Sequence, residues 1–349
     1  MNEIRAIQLG LGALGVQLAR YGLQKEGLRI VGAADPAHAG KDLGRVAGLE
    51  KDVGITVTND LDILLETADA DVLIHATSSY LKETFPQITD AIEAGLNVVS
   101  TCEELSYPFF KYPELSNRLD AAAKKHGVTV LGTGINPGFL MDTLPIVLSA
   151  ACTSIRRIRV TRIMYSGNRR SSFQKKIGTG LSPEAFQKLI ADGKITGHVG
   201  LIESVAMLSS ATGLQIDEIK ELPPEPVICS QEVTTTFATV KPGQVAGLRS
   251  AAVGLRAGKE VLTLEFLSHA NVKRPYDAVA IDGEPPIKQR IEGGVHGDTG
   301  TIAMIFNAVP KVLNAPPGLA TMADLPLASA SLGDFRKYIN WRALKESYI

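Results

Sequence analysis

The sequence predicts an α/β chain: a Rossmann doubly wound parallel sheet followed by a second α+β domain with a mixed or antiparallel sheet. Three observations carry this. Residues 4–132 alternate short β-branched runs with amphipathic segments, a G-x-G-x-x-G loop follows the first run, and from about residue 155 the texture changes to strands joined through Gly, Lys and Pro turns, with helical stretches between.

Taken in order, IRAIQLG reads as a strand and leads into a helical stretch from Ala13. RIVGAAD, VGITVT and DVLIHAT read as strands, a helix runs to Gly95, and NVVST and VTVLGTG complete the sheet. These runs are apolar almost throughout because a parallel sheet is covered on both faces. Gly22, Gly27, Gly95 and Gly127 stand where helices stop before the next strand. The chain of 349 residues exceeds one hydrophobic core, so a second domain is expected. Its strands are RRIRVTRIMY, EVTTTFATV, SAAVGLRAG and EVLTLEFLSHA, with helices around 183–212 and ELPPEPV (221–227) as a loop. Residues 298–313 open on an Asp/Thr cap and keep helical spacing up to Pro316 and Pro317, so this helix is expected to pack back on the first domain. The expected division is 1–140, 141–297, 298–326 for the returning helix, and 327–349 as a tail.

Lys+Arg number 36 against 37 Asp+Glu, a net charge of -1, so no global field draws the chain to nucleic acid or an anionic membrane. A small-molecule partner is the default. Cys102, Cys152 and Cys229 form no CxxC and no cluster with the six histidines, which argues against a metal site and a disulfide framework. With neither a signal peptide nor a spanning run in view, a cytoplasmic setting is expected.

In GLGALG, Gly10 permits the tight turn, Gly12 lets a pyrophosphate approach the backbone, and Gly15 lets helix and strand pack closely; Leu11, Ala13 and Leu14 contribute backbone. Asp35, 20 residues after Gly15, ends the second strand, where a carboxylate accepts the ribose hydroxyls of NAD. His38 and Lys41 follow closely, so NADP stays open. Thr77 and Ser78, at the end of the fourth strand, either bond ribose or pyrophosphate or cap a helix.

The strand NVVST ends in TCEELSYP at the carboxyl edge, where a nicotinamide is held, with Thr101 and Cys102 beside it. Glu103 and Glu104 either transfer protons as ammonia or water attacks a carbonyl, or cap the following helix. The loop GTGINPGFLMD (132–142) offers Asn136 to cofactor or substrate, or serves as a plain crossover. Phe139, Met141 and Tyr165 suit an apolar pocket wall, and Arg162, Arg169 or Lys175 a substrate carboxylate. The run Arg169, Arg170, Lys175 and Lys176 also reads as a solvated loop.

GLGALG, STCEELSYP, GTGINPGFLMD, QKKIGTG and HGDTGTIAMIFNAVPKVLNAPPGL occur in one order, and over residues 4–326 the chain resembles 2,4-diaminopentanoate dehydrogenases and native amine dehydrogenases, relatives of dihydrodipicolinate reductase. The resemblance implies reversible conversion of an amine to a ketone or aldehyde plus ammonia with NAD(P), a catalytic glutamate falling on Glu104 with Glu103 the neighbouring choice, and a homodimer with its substrate cavity between domains. Two departures narrow it. The paired histidines of dihydrodipicolinate reductases are absent, and Cys102 and Glu103 replace the Asn-Lys pair of homoserine dehydrogenases. The alternatives are a strict 2,4-diaminopentanoate dehydrogenase, an alcohol reductase or a dihydrodipicolinate reductase-like imine reductase acting without free ammonia, and a non-catalytic NAD-sensing protein.

Overall fold

The computed structural model describes residues 3–340. The chain divides into two units, one built from the residues up to Phe139 and from Gly297 onward, the other spanning Leu140–His296.

In the first unit the apolar runs form β1 (Ile4–Leu9), β2 (Leu28–Ala34), β3 (Val72–His75), β4 (Asn97–Ser100) and β5 (Thr129–Gly132). Between them lie α1 (Gly15–Gly22), α2 (Leu43–Val46), α3 (Leu61–Thr67), α4 (Leu81–Glu93) and α5 (Pro113–His126). With the short strand Gly318–Ala320 at one edge, the all-parallel order is 318–320, β5, β4, β3, β1, β2. The order reverses between β1 and β3. Right-handed crossovers therefore put α1 and the pair α4, α5 on opposite faces, and a crevice opens beyond the carboxyl ends of β1 and β3. Ile7, Leu73, Val98 and Val130 meet Leu81, Ile88, Ile92 and Leu119 to make the core on the α4–α5 face.

VGITVT does not become a strand. It makes only isolated bridges, Ala34 with Thr58 and Asp42 with Thr56, because its groups serve the turn after β2: Asp35 N–H donates to Thr58 O and Gly40 N–H to Val57 O.

The second unit carries α6 (Thr143–Ser149), β6 (Ser154–Tyr165), α7 (Ser171–Lys176), α8 (Pro183–Ala191), α9 (Leu201–Thr212), β7 (Glu218–Ile228), the small hairpin β8 (Val233–Thr234) and β9 (Thr239–Val240), β10 (Val245–Arg256), β11 (Lys259–His269), β12 (Tyr276–Glu284) and β13 (Ile287–Glu292). Its six-stranded sheet runs β13, β12, β6, β11, β10, β7. Only β6 and β11 pair in parallel, so the sheet is mixed.

Two readings are corrected here. ELPPEPV lies inside β7, an edge strand, where a proline needs no partner on its outer side; the pairing with β10 slips between Leu222 and Glu225, at the two prolines. The basic run is not a plain loop either, since Ser171–Lys176 form α7 and Arg169 is buried while Arg170, Lys175 and Lys176 are exposed.

The chain then returns to the first unit as α10 (Gly297–Leu313) and β14, the edge strand Gly318–Ala320 already placed. Phe306 of α10 lies against Tyr21 of α1, ring centroids 4.8 Å apart. Of the expected tail 327–349, residues up to 340 end in a 3-10 turn, Phe335–Tyr338, with Phe335 buried under Lys25; residues 341–349 lie outside the described residues. No helix among the described residues is long and apolar enough to cross a membrane.

Candidate active site

The glycine loop behaves as its three positions require. Gly10 has φ +85°, and a Cβ there would stand 2.5 Å from Ala76 O; a Cβ on Gly15 would stand 2.1 Å from Gly10 O. A Cβ on Gly12 would meet nothing within 4 Å, because that position faces the open cleft. Buried Gln8 braces the loop from beneath, its amide nitrogen donating to Gly10 O at 3.0 Å. No side chain caps α1, which leaves the helix start open to an anion, although Val16 N–H already bonds Gly12 O at 2.9 Å. Leu11 points inward and is buried, with its backbone N–H taken by Asp35, and Ala13 and Leu14 lie in the turn that leads into α1.

The cleft over this loop measures ≈ 670 Å³ and is walled by Gly10, Gly12, Asp35, Thr77 and Gln87 among others. Asp35 accepts Leu11 N–H at 2.7 Å and Ala37 N–H at 2.8 Å, one on each oxygen. The carboxylate is thereby held at the rim with a lone pair on each oxygen for ribose hydroxyls. Thr77 is exposed on the cleft wall. Ser78 serves the start of α4, donating to Glu83 and accepting Tyr80 N–H at 3.3 Å. These residues fit a dinucleotide.

The two glutamates after β4 have different surroundings. Glu104 is 1% exposed; its Oε2 accepts the backbone N–H of Leu81 at 2.8 Å, and its Oε1 accepts Lys111 Nζ at 2.5 Å and Tyr112 OH at 3.0 Å. The residue at the cap position of α4, Tyr80, supplies no side-chain cap, so Glu104 performs that office from another loop and meets the positive end of the helix dipole. Burial, then the charge of Glu104, push the Tyr112 phenol above its ordinary range and keep it a donor. Glu103 is half-buried and heads the 3-10 turn Glu103–Ser106. Thr101 is half-buried beside it, whereas the Cys102 thiol is turned into the core against Thr84 and Ser79, so only its backbone remains near the loop surface. Burial pushes that thiol up to about 12.

Further along, Asn136 and Phe139 are half-buried in the first unit, and Thr301 Oγ1 accepts Ile135 N–H at 3.3 Å to tie that loop to α10. In the second unit Met141 is fully buried, and Tyr165, at the end of β6, lies close over Gly167. Arg162, expected at the substrate, is 2% exposed and committed elsewhere: Nη1 donates to Asp277 Oδ1 at 3.0 Å and Nη2 to Val295 O at 2.8 Å. Its fork is filled by its own unit. Among the described residues no group of three or more metal-ligating side chains forms. Sequence reasoning missed Lys111, Tyr112, His75 and Gln87, whose bonds to Glu104, Ser100 and each other span 7 to 25 residues and are made only by the fold.

A reversed-order parallel sheet, an open Gly12 and a carboxylate at the end of β2 define a dinucleotide-binding protein of the Rossmann class. Comparison with known proteins narrows the class. The family model described as 2,4-diaminopentanoate dehydrogenase C-terminal domain matches residues 139–341, and that of the dihydrodipicolinate reductase N-terminus matches 4–102. The chain is 34% identical to a 2,4-diaminopentanoate dehydrogenase of Acetoanaerobium sticklandii over 98% of its own length and 99% of that protein's. It is 25% identical to an amine dehydrogenase of Streptomyces virginiae over 85% of this chain and 88% of that one. The solved amine dehydrogenase of Mycobacterium smegmatis superposes with a TM-score of 0.80 at 28% identity, covering 93% of this chain and 97% of that one. The chain belongs to the 2,4-diaminopentanoate dehydrogenase family.

Proposed function

We propose that this oxidoreductase converts a primary amine to a ketone or aldehyde and ammonia, with Glu103 carrying the protons and Glu104 holding the loop. The observation behind this division is that Glu104 is buried and takes three donors, Leu81 N–H, Lys111 and Tyr112, while its neighbour is half-buried at the head of the turn. A proton carrier has to reach the reacting atoms.

In the balanced reaction a protonated primary amine, water and NAD⁺ give the carbonyl compound, ammonium, NADH and a proton. The bound nicotinamide supplies or accepts the hydride. In the aminating direction ammonium brings both protons that the carbonyl oxygen needs to leave as water: a Glu103 oxygen takes one as ammonia is freed and passes it to the carbonyl oxygen as the C–N bond forms, then takes the second from the added nitrogen and passes it to the hydroxyl, which departs as water and leaves the iminium. The same carboxylate, ionised, stabilises the iminium cation that remains. Gly12 and the start of α1 hold the pyrophosphate, Asp35 the ribose, and Thr77 contacts the cofactor nearby. The carboxylate at the rim favours NAD over NADP, whose 2′-phosphate it repels.

For the substrate we propose 2,4-diaminopentanoate, supported by 34% identity along the full chain to the dehydrogenase named for it; short alkyl amines are the second choice, supported by the amine dehydrogenase relative. Asn136 and Phe139, both in the first unit, are the proposed substrate contacts; Met141, expected at the pocket wall, is 0% exposed and belongs to the core of its own unit. Arg162 is withdrawn from that set. A cytoplasmic homodimer is the proposed assembly, consistent with three free cysteines and with the family resemblance.

The test is NAD reduction with 2,4-diaminopentanoate and short alkyl amines, paired with NADH oxidation by the matching carbonyls with and without ammonia. Ammonia-dependent oxidation is expected. Oxidation indifferent to ammonia would make it an alcohol or imine reductase, and tight NADH binding without turnover across the panel would make it a sensor.

A further inference from the structure

The imidazole of His75, at the carboxyl end of β3, is completely buried and has partners on both nitrogens. Nδ1 lies 2.7 Å from Ser100 Oγ; Nε2 lies 2.9 Å from Gln87 Oε1 and 3.0 Å from Thr77 Oγ1. Chemistry fixes the directions. Gln87 Oε1 only accepts, so Nε2 carries the ring proton, and the Thr77 hydroxyl donates its own proton to that same oxygen at 2.7 Å. Nδ1 is then an acceptor and takes the Ser100 hydroxyl proton, while Ser100 Oγ accepts the backbone N–H of Cys102 at 3.0 Å. Burial pushes the ring pKa down to about 4, so the neutral form persists at physiological pH.

The chain of bonds has two useful ends. Thr77 and Gln87 wall the dinucleotide cleft, and because the Thr77 proton is spent inward, its oxygen faces the cleft as an acceptor alone. Cys102 immediately precedes Glu103, so the other end fixes the backbone from which the proposed proton carrier projects. We infer that His75 is a positioning residue that sets Thr77 Oγ1 as an acceptor for a hydroxyl or N–H donor of the dinucleotide and, through Ser100, anchors the Glu103 loop. No direct contact of His75 with a ligand is involved. The inference rests on the reading of Thr77 as a cofactor contact, and its test separates the two.

Two measurements on the full chain decide it. In the cofactor-free protein, nitrogen NMR of the His75 ring is expected to report the neutral Nε2–H tautomer at pH 7; an Nδ1–H tautomer or an imidazolium overturns the inference. NADH titrations by fluorescence then compare Thr77→Val, Gln87→Met and the double variant, both positions being near enough to the surface to tolerate change. Each single change is expected to weaken binding about 5- to 10-fold, the scale of one hydrogen bond, and the double variant no more than Thr77→Val alone. If Thr77→Val binds less tightly but Gln87→Met binds as wild type, or if the two effects multiply, the relay is wrong and the cofactor reading of Thr77 survives. Unchanged binding in Thr77→Val overturns both.

Discussion

Glu104 and Leu81 are joined across 23 residues by a 2.8 Å hydrogen bond that caps one helix with a carboxylate from a different loop. Two consecutive glutamates thereby become unlike. Glu104→Gln or Glu104→Ala removes the charge that faces Lys111 and the end of α4, and leaves buried donors short of an acceptor; a loss of about 1–3 kcal/mol in unfolding free energy is expected. Glu103→Gln is expected to leave the urea midpoint near wild type and to lower the amination rate by about 10²–10⁴-fold, the usual contribution of a positioned acid or base. A stable Glu104→Ala enzyme with no activity, beside an active Glu103→Gln enzyme, would reverse the assignment.

Asp35 holds both the glycine loop and, in the proposed complex, the ribose. Replacing it with serine takes a charge-assisted acceptor from the adenosine ribose, for which a 10- to 100-fold weaker NAD affinity is expected, roughly 1.5–3 kcal/mol. NADP affinity is expected to rise relative to NAD, since the repulsion of a 2′-phosphate goes with the carboxylate and His38 and Lys41 stand close in sequence. Titrating both nucleotides against the variant checks this. An unchanged NAD-to-NADP ratio would leave Asp35 only its bonds to Leu11 and Ala37.

The dinucleotide loop was readable because its chemistry is local: a turn needing Gly10, an opening needing Gly12 and a close packing needing Gly15 all fall within six residues. The mixed sheet was readable from the strand runs in β6, β10 and β11 and the turn residues between them, although only β11 alternates cleanly and β10 is buried almost throughout. What escaped depended on neighbours far along the chain. The prolines of β7 argue for a loop until the strand is known to lie at an edge, and VGITVT has strand composition but spends its bonds on a turn. Arg162 looks available until Asp277, 115 residues later, fills its fork. Nothing local distinguishes Glu103 from Glu104.

Arg162 and Asp277 form a desolvated pair, with side chains 3% and 6% exposed. Removing one partner of such a pair strands the other, so Arg162→Met is expected to cost about 3–5 kcal/mol of stability, and Arg162→Met combined with Asp277→Leu to recover part of it. The KM for the amine is expected to stay near wild type in whatever fraction folds. A large rise in KM at wild-type stability would return Arg162 to the substrate pocket.

His75 gives stability a pH dependence of defined sign. An unperturbed imidazole titrates at 6.5, and burial brings this ring down to about 4 in the native protein. Between those values the unfolded chain binds a proton that the native protein refuses, so stability falls as pH falls through this window and is fully present above it. The gap corresponds to a loss on the order of 3 kcal/mol. Its partners Ser100, Gln87 and Thr77 carry no charge that would rescue the imidazolium. Urea unfolding at pH 7, 6 and 5 is expected to show the decline in wild type and a flatter profile in His75→Gln, because the substituted side chain does not titrate. Parallel declines in the two proteins would assign the acid sensitivity to the carboxylates and leave the His75 ring outside it.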